Sequence, residues 1–60
     1  MHQYLVPVKS KQDNSFAFML IIEAESQHGA KVIASYIYHN DLQDHLYIDY
    51  SKDFKEYQVV

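Results

Sequence analysis

A chain of 60 residues, nearly half of them apolar, can form one small hydrophobic core, so we expect a single domain spanning residues 1–60. The lack of cysteine excludes disulfides and thiolate zinc sites, and the lack of a signal peptide or of a ~20-residue apolar segment predicts a cytoplasmic protein. Eight acidic residues against five lysines, with no arginine, disfavour direct nucleic-acid binding.

The first predicted element is a hairpin. Residues 3–9 alternate as a strand, with Tyr4, Val6 and Val8 on one face. Pro7 has no N–H to donate, so we expect this strand to have an open edge near that residue. The polar segment 10–15, SKQDNS, predicts the turn that leads into a second strand at residues 16–25.

The second predicted strand begins with seven consecutive apolar residues, FAFMLII. Because successive side chains of a strand point to opposite faces, both faces of this strand are apolar. Phe16, Phe18, Leu20, Ile22 and Ala24 share one face, whereas Ala17, Met19 and Ile21 share the other. This pattern is typical of the middle strand of a sheet.

A helix is predicted over residues 27–39. Ser26 is a good N-cap, because its hydroxyl can accept a hydrogen bond from an unpaired N–H of the first turn. The apolar positions follow the spacing of an amphipathic helix: Ala30, Ile33, Ala34 and Ile37, widened by Val32 and Tyr36. Gly29 in the first turn would permit a close approach to the sheet, and Asn40 suits the left-handed position at the end of the helix.

Two further strands are predicted at residues 45–50 and 54–60, the latter with Tyr57 and Val59 on one face. The element order is therefore β-β-α-β-β, two hairpins joined by one helix. We expect an α+β fold in which a four-stranded, antiparallel sheet carries the helix on one face. The patterns do not determine the order of the strands in the sheet.

One helix can cover only one face of the sheet. The residues expected to pack under Ile33 and Ile37 are Tyr4, Val6, Val8, Phe16, Phe18, Leu20, Ile22, Leu46 and Ile48. The opposite face would expose an apolar patch that includes Ala17 and five residues we name the open face: Leu5, Pro7, Met19, Ile21 and Tyr47. Such a patch is typical of a contact with a protein partner or with a second copy of the chain. The alternative is that long polar side chains of neighbouring strands lie over Met19 and Ile21.

A second candidate surface is the acidic edge, which consists of Asp41, Asp44, Asp49, Tyr50, Asp53 and Glu56. Carboxylates spaced along a rigid surface can bind a basic groove, and tyrosine adds contact area at low entropic cost. The alternative, which the mild acidic excess favours, is an ordinary solvated surface with tyrosines in its strands.

Chemistry-bearing motifs are few. His39 and His45 flank Asp41 and Asp44, a set that could hold a divalent metal ion, although the spacing matches no standard site. There is no glycine-rich loop for phosphate, and a domain this small has little room for a water-excluding pocket. We therefore expect no catalytic residue, no cofactor and no enzymatic activity.

The β-β-α-β-β layout, with the corner IIEAESQHGAKVIAS between strand and helix, resembles that of small phage-encoded inhibitors, among them some anti-CRISPR proteins. The resemblance implies a cytoplasmic, single-domain protein that binds a host effector complex and blocks it by occlusion. The sequence thus predicts a non-enzymatic protein-binding module. The alternative is a small homodimeric structural or regulatory protein that self-associates through the same open face.

Overall fold

The computed structural model of the chain describes residues 1–57. Its strands and helix are β1 (His2–Ser10), β2 (Phe16–Ala24), α1 (Gln27–Ile37), β3 (Leu46–Ile48) and β4 (Lys55–Tyr57). The four strands pair antiparallel in one sheet and α1 packs on one of its faces, which confirms the predicted α+β fold. The predicted end of the last strand, including Val59, lies outside the described residues.

The first hairpin forms as predicted. Its turn is closed by a hydrogen bond of 2.9 Å from the Asn14 backbone N–H to the carbonyl of Ser10. Asn14 adopts a left-handed conformation with φ of 61°, which asparagine tolerates better than most residues. The Asp13 carboxylate accepts hydrogen bonds from the backbone N–H and the hydroxyl of Ser15, at 3.1 and 2.7 Å. The polar turn is therefore built by its own asparagine, aspartate and serine side chains.

The strand order corrects one expectation, because β1 and not β2 is the central strand. β2 pairs along one side of β1, whereas β3 and β4 pair with residues 8–10 and 3–5 on its other side. β2 and β3 are both antiparallel to β1 and so run parallel to each other. A helix is the usual crossover between parallel strands, and α1 accordingly carries the chain across β1 to the far edge of the sheet.

The prediction of a second hairpin is also wrong. Within residues 1–57, β3 and β4 follow one another along the same side of β1, and the segment 49–54 leaves the sheet between them. Pro7 lies opposite this interruption, where its carbonyl accepts a hydrogen bond of 3.1 Å from the N–H of Asp49. A proline is tolerated there because no neighbouring strand needs its missing N–H. β1 therefore does not have the expected open edge: it is paired on both sides, and only a local gap beside Pro7 remains.

The start of the helix is confirmed and its end is not. The Ser26 hydroxyl accepts a hydrogen bond of 3.2 Å from the N–H of Gly29, as expected of an N-cap. α1 then ends at Ile37 and continues as a π-helical turn, Tyr38–Leu42. Asn40 lies inside this turn, so its predicted left-handed conformation is wrong. A Cβ atom added to Gly29 would lie 3.5 Å from the Cβ of Ala24, an ordinary contact, so the close approach does not require glycine.

α1 contains only 11 residues. Within residues 1–57, no helix is long and apolar enough to span a membrane.

The core lies between α1 and the sheet. Its buried residues are Tyr4, Val6, Val8, Ile22, Ala24, Ala30, Ala34, Ile48 and Phe54, with Leu20, Ile37, Tyr38, Leu42 and Leu46 packed around them. The small side chains of Ala30 and Ala34 bring the helix close to the sheet, which leaves Ile33 exposed on the flank of the helix. The prediction that Ile33 is a core residue is therefore wrong.

Phe16 and Phe18 are likewise exposed rather than buried. α1 starts beside Ala24 and crosses toward β3, so it does not reach the opposite end of β2. A shift in register also places Phe16, rather than Ala17, opposite Lys9, and this interrupts the alternation of β2.

Phe54, and not Phe16 or Phe18, is the phenylalanine that packs in the core. It belongs to the segment 49–54, and its side chain is only 3 % exposed. The side-chain amide of Gln27 fixes this segment to the first turn of α1. Its oxygen accepts a hydrogen bond of 2.9 Å from the N–H of Phe54, and its nitrogen donates to the carbonyl of the same residue.

Candidate protein-binding face

The residues of the open face lie together on the side of the sheet opposite α1. In the β1–β2 ladder Leu5 pairs with Ile21, and Pro7 pairs with Met19. Tyr47 in β3 pairs with Lys9, which belongs to the same face as Pro7. The alternation of three strands therefore brings together the five residues that the sequence places on this face.

The apolar side chains of this face remain accessible. Met19 is 44 % exposed and Ile21 is 56 % exposed, whereas Leu5, Pro7 and Tyr47 are half-buried. Met19 and Ile21 belong to an edge strand, so only one neighbouring strand contributes side chains beside them. Within residues 1–57, polar side chains do not cover them, in contrast to the alternative expectation.

A groove of about 400 Å³ deepens the open face beside the gap in the sheet. Leu5, Pro7 and Met19 line it on the sheet side, and the segment 49–55 lines it on the other. Lys52 and Lys55 contribute positive charge to this second wall, and Asp49 and Asp53 contribute negative charge. The groove can accept one bulky apolar side chain, as the pockets at the centres of protein interfaces do.

One ion pair holds the wall of the groove against the sheet. The Lys9 ammonium lies 2.8 Å from a carboxylate oxygen of Asp49, and the other oxygen accepts a hydrogen bond of 2.9 Å from the N–H of Ser51. The hydrogen bond from Lys9 and those from Ser51 hold the pKa of Asp49 well below its usual range. The same contact raises the pKa of Lys9. Asp49 thus remains ionised in the folded state at pH values where a free carboxyl is protonated.

This shift predicts a pH dependence of stability. A carboxyl whose pKa is lower in the folded than in the unfolded state stabilises the fold above its unfolded pKa of about 4, and this stabilisation is lost as the pH falls further. We expect the Asp49→Asn variant to be less stable than the unmodified protein at neutral pH and to lose less stability on acidification. Urea unfolding at several pH values between about 7 and 2.5 measures both.

The Asp13 carboxyl, whose pKa the hydrogen bonds from Ser15 also lower, remains in the variant and accounts for part of the acid dependence. Identical pH profiles for the two proteins would contradict the role of Asp49.

Tyr47 closes the open face at the end near the hairpin turn. Its hydroxyl donates a hydrogen bond of 3.2 Å to the side-chain oxygen of Asn14. The ring therefore extends from β3 across the end of β1 toward the turn. This contact limits the rotation of Tyr47 and gives that end of the face a defined shape.

The acidic edge is spread along the β3–β4 side of the molecule rather than gathered into a cluster. Asp41 lies in the π-helical turn, Asp44 follows it, and Glu56 lies in β4. Ion pairs join Asp49 to Lys9 and Asp53 to Lys31, and a hydrogen bond joins Glu56 to the imidazole of His2. Tyr50 lies against Phe54, with ring centroids 5.9 Å apart. Half of the six residues therefore use their carboxylates within the chain itself.

The histidines near the acidic edge do not assemble a cluster. His39 packs edge-on against Tyr38, with ring centroids 5.4 Å apart, and the carbonyl of His45 accepts a hydrogen bond of 2.9 Å from the N–H of Lys11. In the part of the chain that the structure describes, three or more histidine, aspartate or glutamate side chains do not come together as a metal site would require.

Sequence patterns alone did not reveal the groove. Its second wall includes Ser51, Lys52 and Lys55, which the sequence assigns to a turn and a strand with no functional role. Asp49 and Asp53 of the same wall are residues that the sequence assigns to the acidic edge. The available signal was Pro7, because the gap it leaves in the ladder is where the segment 49–54 departs from the sheet.

Comparisons of the chain with protein-family models, with curated proteins and with solved structures found no match. Its functional interpretation therefore depends on the geometry of the open face and the groove.

Proposed function

We propose that this chain is a non-enzymatic protein-binding module that binds a larger complex through the open face and blocks it sterically. The observation that carries this proposal is the exposure of Met19 and Ile21 on the face of the sheet that the helix does not cover. Exposed apolar side chains on a surface lose contact with water when a partner binds, at about 25 cal/mol per Å² of apolar area buried.

The sheet makes this face suitable for binding because its shape is set before the partner arrives. Leu5 and Pro7 belong to the central strand. Leu5 pairs with β2 and β4, whereas Pro7 pairs with β2 and is held on its other side by the hydrogen bond from Asp49. A preorganised backbone loses little conformational freedom on binding, so more of the contact energy appears as affinity.

The groove indicates the chemistry of the contact. Its sheet side is apolar, whereas the opposite wall carries Lys52 and Lys55. The two aspartates of that wall, Asp49 and Asp53, pair with Lys9 and Lys31. An apolar side chain of the partner, flanked by aspartate or glutamate, fits this arrangement of charges. The acidic edge is a weaker candidate, because Asp49 and Asp53 already pair with lysines of the same chain and the Glu56 carboxylate is hydrogen-bonded to His2.

The resemblance to small phage-encoded inhibitors suggests the class of partner, a host effector complex such as a CRISPR complex. An inhibitor that acts by occlusion is consumed in proportion to its target, whereas an enzyme inactivates many target molecules per copy. The amount of protein needed for complete inhibition therefore distinguishes an occluding inhibitor from an enzyme.

We expect inhibition of a susceptible complex to be complete near one inhibitor per binding site. The experiment titrates the purified protein into purified CRISPR effector complexes of several types and measures cleavage of target DNA. Complete inhibition well below equal amounts would contradict an occluding inhibitor, and normal cleavage by every complex at excess inhibitor would contradict this class of partner.

A further inference from the structure

The outer edge of β2 is the longest backbone edge that the fold leaves unpaired. β2 has nine residues, and β1 occupies one of its sides. In the part of the chain that the structure describes, no strand pairs with the other side.

The ladder determines which backbone groups point outward from this edge. The carbonyl of Pro7 accepts its hydrogen bond from Asp49 on the side of β1 away from β2. Pro7 and Met19 therefore form a pair without hydrogen bonds between them, and such pairs alternate with hydrogen-bonded pairs in an antiparallel ladder. It follows that Met19, Ile21 and Glu23 direct their N–H and C=O groups away from β1.

This edge lacks the usual protection against pairing with another strand. Monomeric proteins protect their edges with lysine, proline, bulges or very short strands. β2 contains no lysine, proline or glycine, and Glu23 is its only charged residue. Its single irregularity lies near Phe16, at one end of the strand.

From these features we propose that β2 pairs antiparallel with β2 of a second copy about a two-fold axis, which joins the two sheets into one of eight strands. Only the register with Leu20 opposite Leu20 pairs every residue of Phe16–Ala24 with its counterpart. In this register Met19 of one copy exchanges hydrogen bonds with Ile21 of the other, and both residues have outward-pointing backbone groups.

The charges of the strand are compatible with a second copy as occupant. The same register places Glu23 opposite Ala17 of the other copy, so the two Glu23 carboxylates remain apart. Because Glu23 is the only charged residue of β2, pairing in this register brings no like charges together.

The helices add contact area beside the paired strands. Gln27 and Lys31 bond to Phe54 and Asp53, so their flank of α1 faces the segment 49–54. The opposite flank, which carries exposed Ile33 and Tyr36, therefore faces the free edge of β2. In the two-fold dimer these two flanks lie on the same side of the joined sheet.

The size of the contact sets the expected affinity. A nine-residue edge is about 30 Å long and a sheet is about 10 Å thick, so the strands alone bury less than the 1,200 Å² or so of a standard interface. With the helix flanks added, we expect dissociation constants in the micromolar range. Pairing at the edge leaves both open faces free, on the same side of the joined sheet, so it is independent of the proposed inhibition.

Amide hydrogen exchange measured by NMR at low and high protein concentration tests the pairing directly. We expect the amides of Met19 and Ile21 to exchange quickly in dilute samples and at least about tenfold more slowly in concentrated ones. The amide of Leu20, which bonds to β1, should remain slow at both concentrations. Exchange at Met19 and Ile21 that does not change with concentration up to the millimolar range would overturn the proposal.

Two variants at one position separate edge pairing from contact through the open face. Ile21→Pro removes an outward N–H that β1 does not use, whereas Ile21→Thr keeps this N–H and removes apolar surface. In sedimentation equilibrium we expect Ile21→Pro to be monomeric and Ile21→Thr to dimerise with less than about tenfold weakening. If both variants are monomeric, self-association uses the open face and the edge proposal is wrong. Should Ile21→Pro fail to fold, the exchange pattern of the unmodified protein still decides.

Discussion

Replacing Phe54 with alanine is expected to leave most of the chain unfolded at 25 °C. Phe54 is 3 % exposed and lies in the core beneath α1. Truncating a buried phenylalanine to alanine costs about 3–5 kcal/mol. A domain of this size has a free energy of unfolding of only a few kcal/mol, so the loss is comparable to its whole stability.

Phe16→Ala is the matched control, because it makes the same chemical change at a side chain that is 59 % exposed. We expect it to cost less than about 1 kcal/mol. Circular dichroism with urea titration measures both variants. If Phe54→Ala is as stable as Phe16→Ala, the segment 49–54 does not contribute to the core as described.

The second large effect is expected on binding rather than folding. Met19→Glu places a charge on the open face at the wall of the groove, where a bound partner would have to desolvate it. Substitutions in a pocket that a partner fills often cost about 2 kcal/mol or more, so we expect inhibition of the target complex to weaken at least about 30-fold. Titration of target cleavage with the variant measures this loss.

Val32→Glu provides the control for Met19→Glu. Val32 is 43 % exposed, against 44 % for Met19, but it lies on α1 at the other side of the molecule. The same substitution there should leave inhibition unchanged. Equal losses for the two variants, or no loss for Met19→Glu, would mean that the open face is not the binding surface.

Local patterns predicted the elements of this fold better than their arrangement. Alternation and turn residues indicated the first hairpin, and Ser26 indicated the start of the helix, because these features depend on neighbours in sequence. The order of the strands depends on long-range pairing. Apolar residues on both faces of residues 16–25 suggested a middle strand, whereas the structure places them at an edge.

The helix itself carried a signal for the correct order. A helix between two strands usually joins parallel strands, and two parallel strands fit into an all-antiparallel sheet only if another strand, here β1, lies between them. The apolar residues on both faces of β2 then belong to an edge strand with exposed side chains rather than to a strand buried in the middle of the sheet.

The open face followed from alternation alone, because one helix cannot cover two sides of a sheet. The groove cannot be predicted from alternation, because it depends on where the chain leaves the sheet after β3. The sequence pattern assigned Phe54 to the last strand, and its burial depends on the contact with Gln27, 27 residues away along the chain. Long-range contacts of this kind leave no local periodicity.

We propose that Met19 and Ile21 serve binding and not the fold. The most direct test is the free energy of unfolding of the double variant Met19→Glu, Ile21→Lys, measured in urea at a concentration low enough to keep the chain monomeric. Because both side chains are exposed, we predict a value within about 1 kcal/mol of the unmodified protein. A loss of about 3 kcal/mol or more would show that these residues belong to the core rather than to a binding surface.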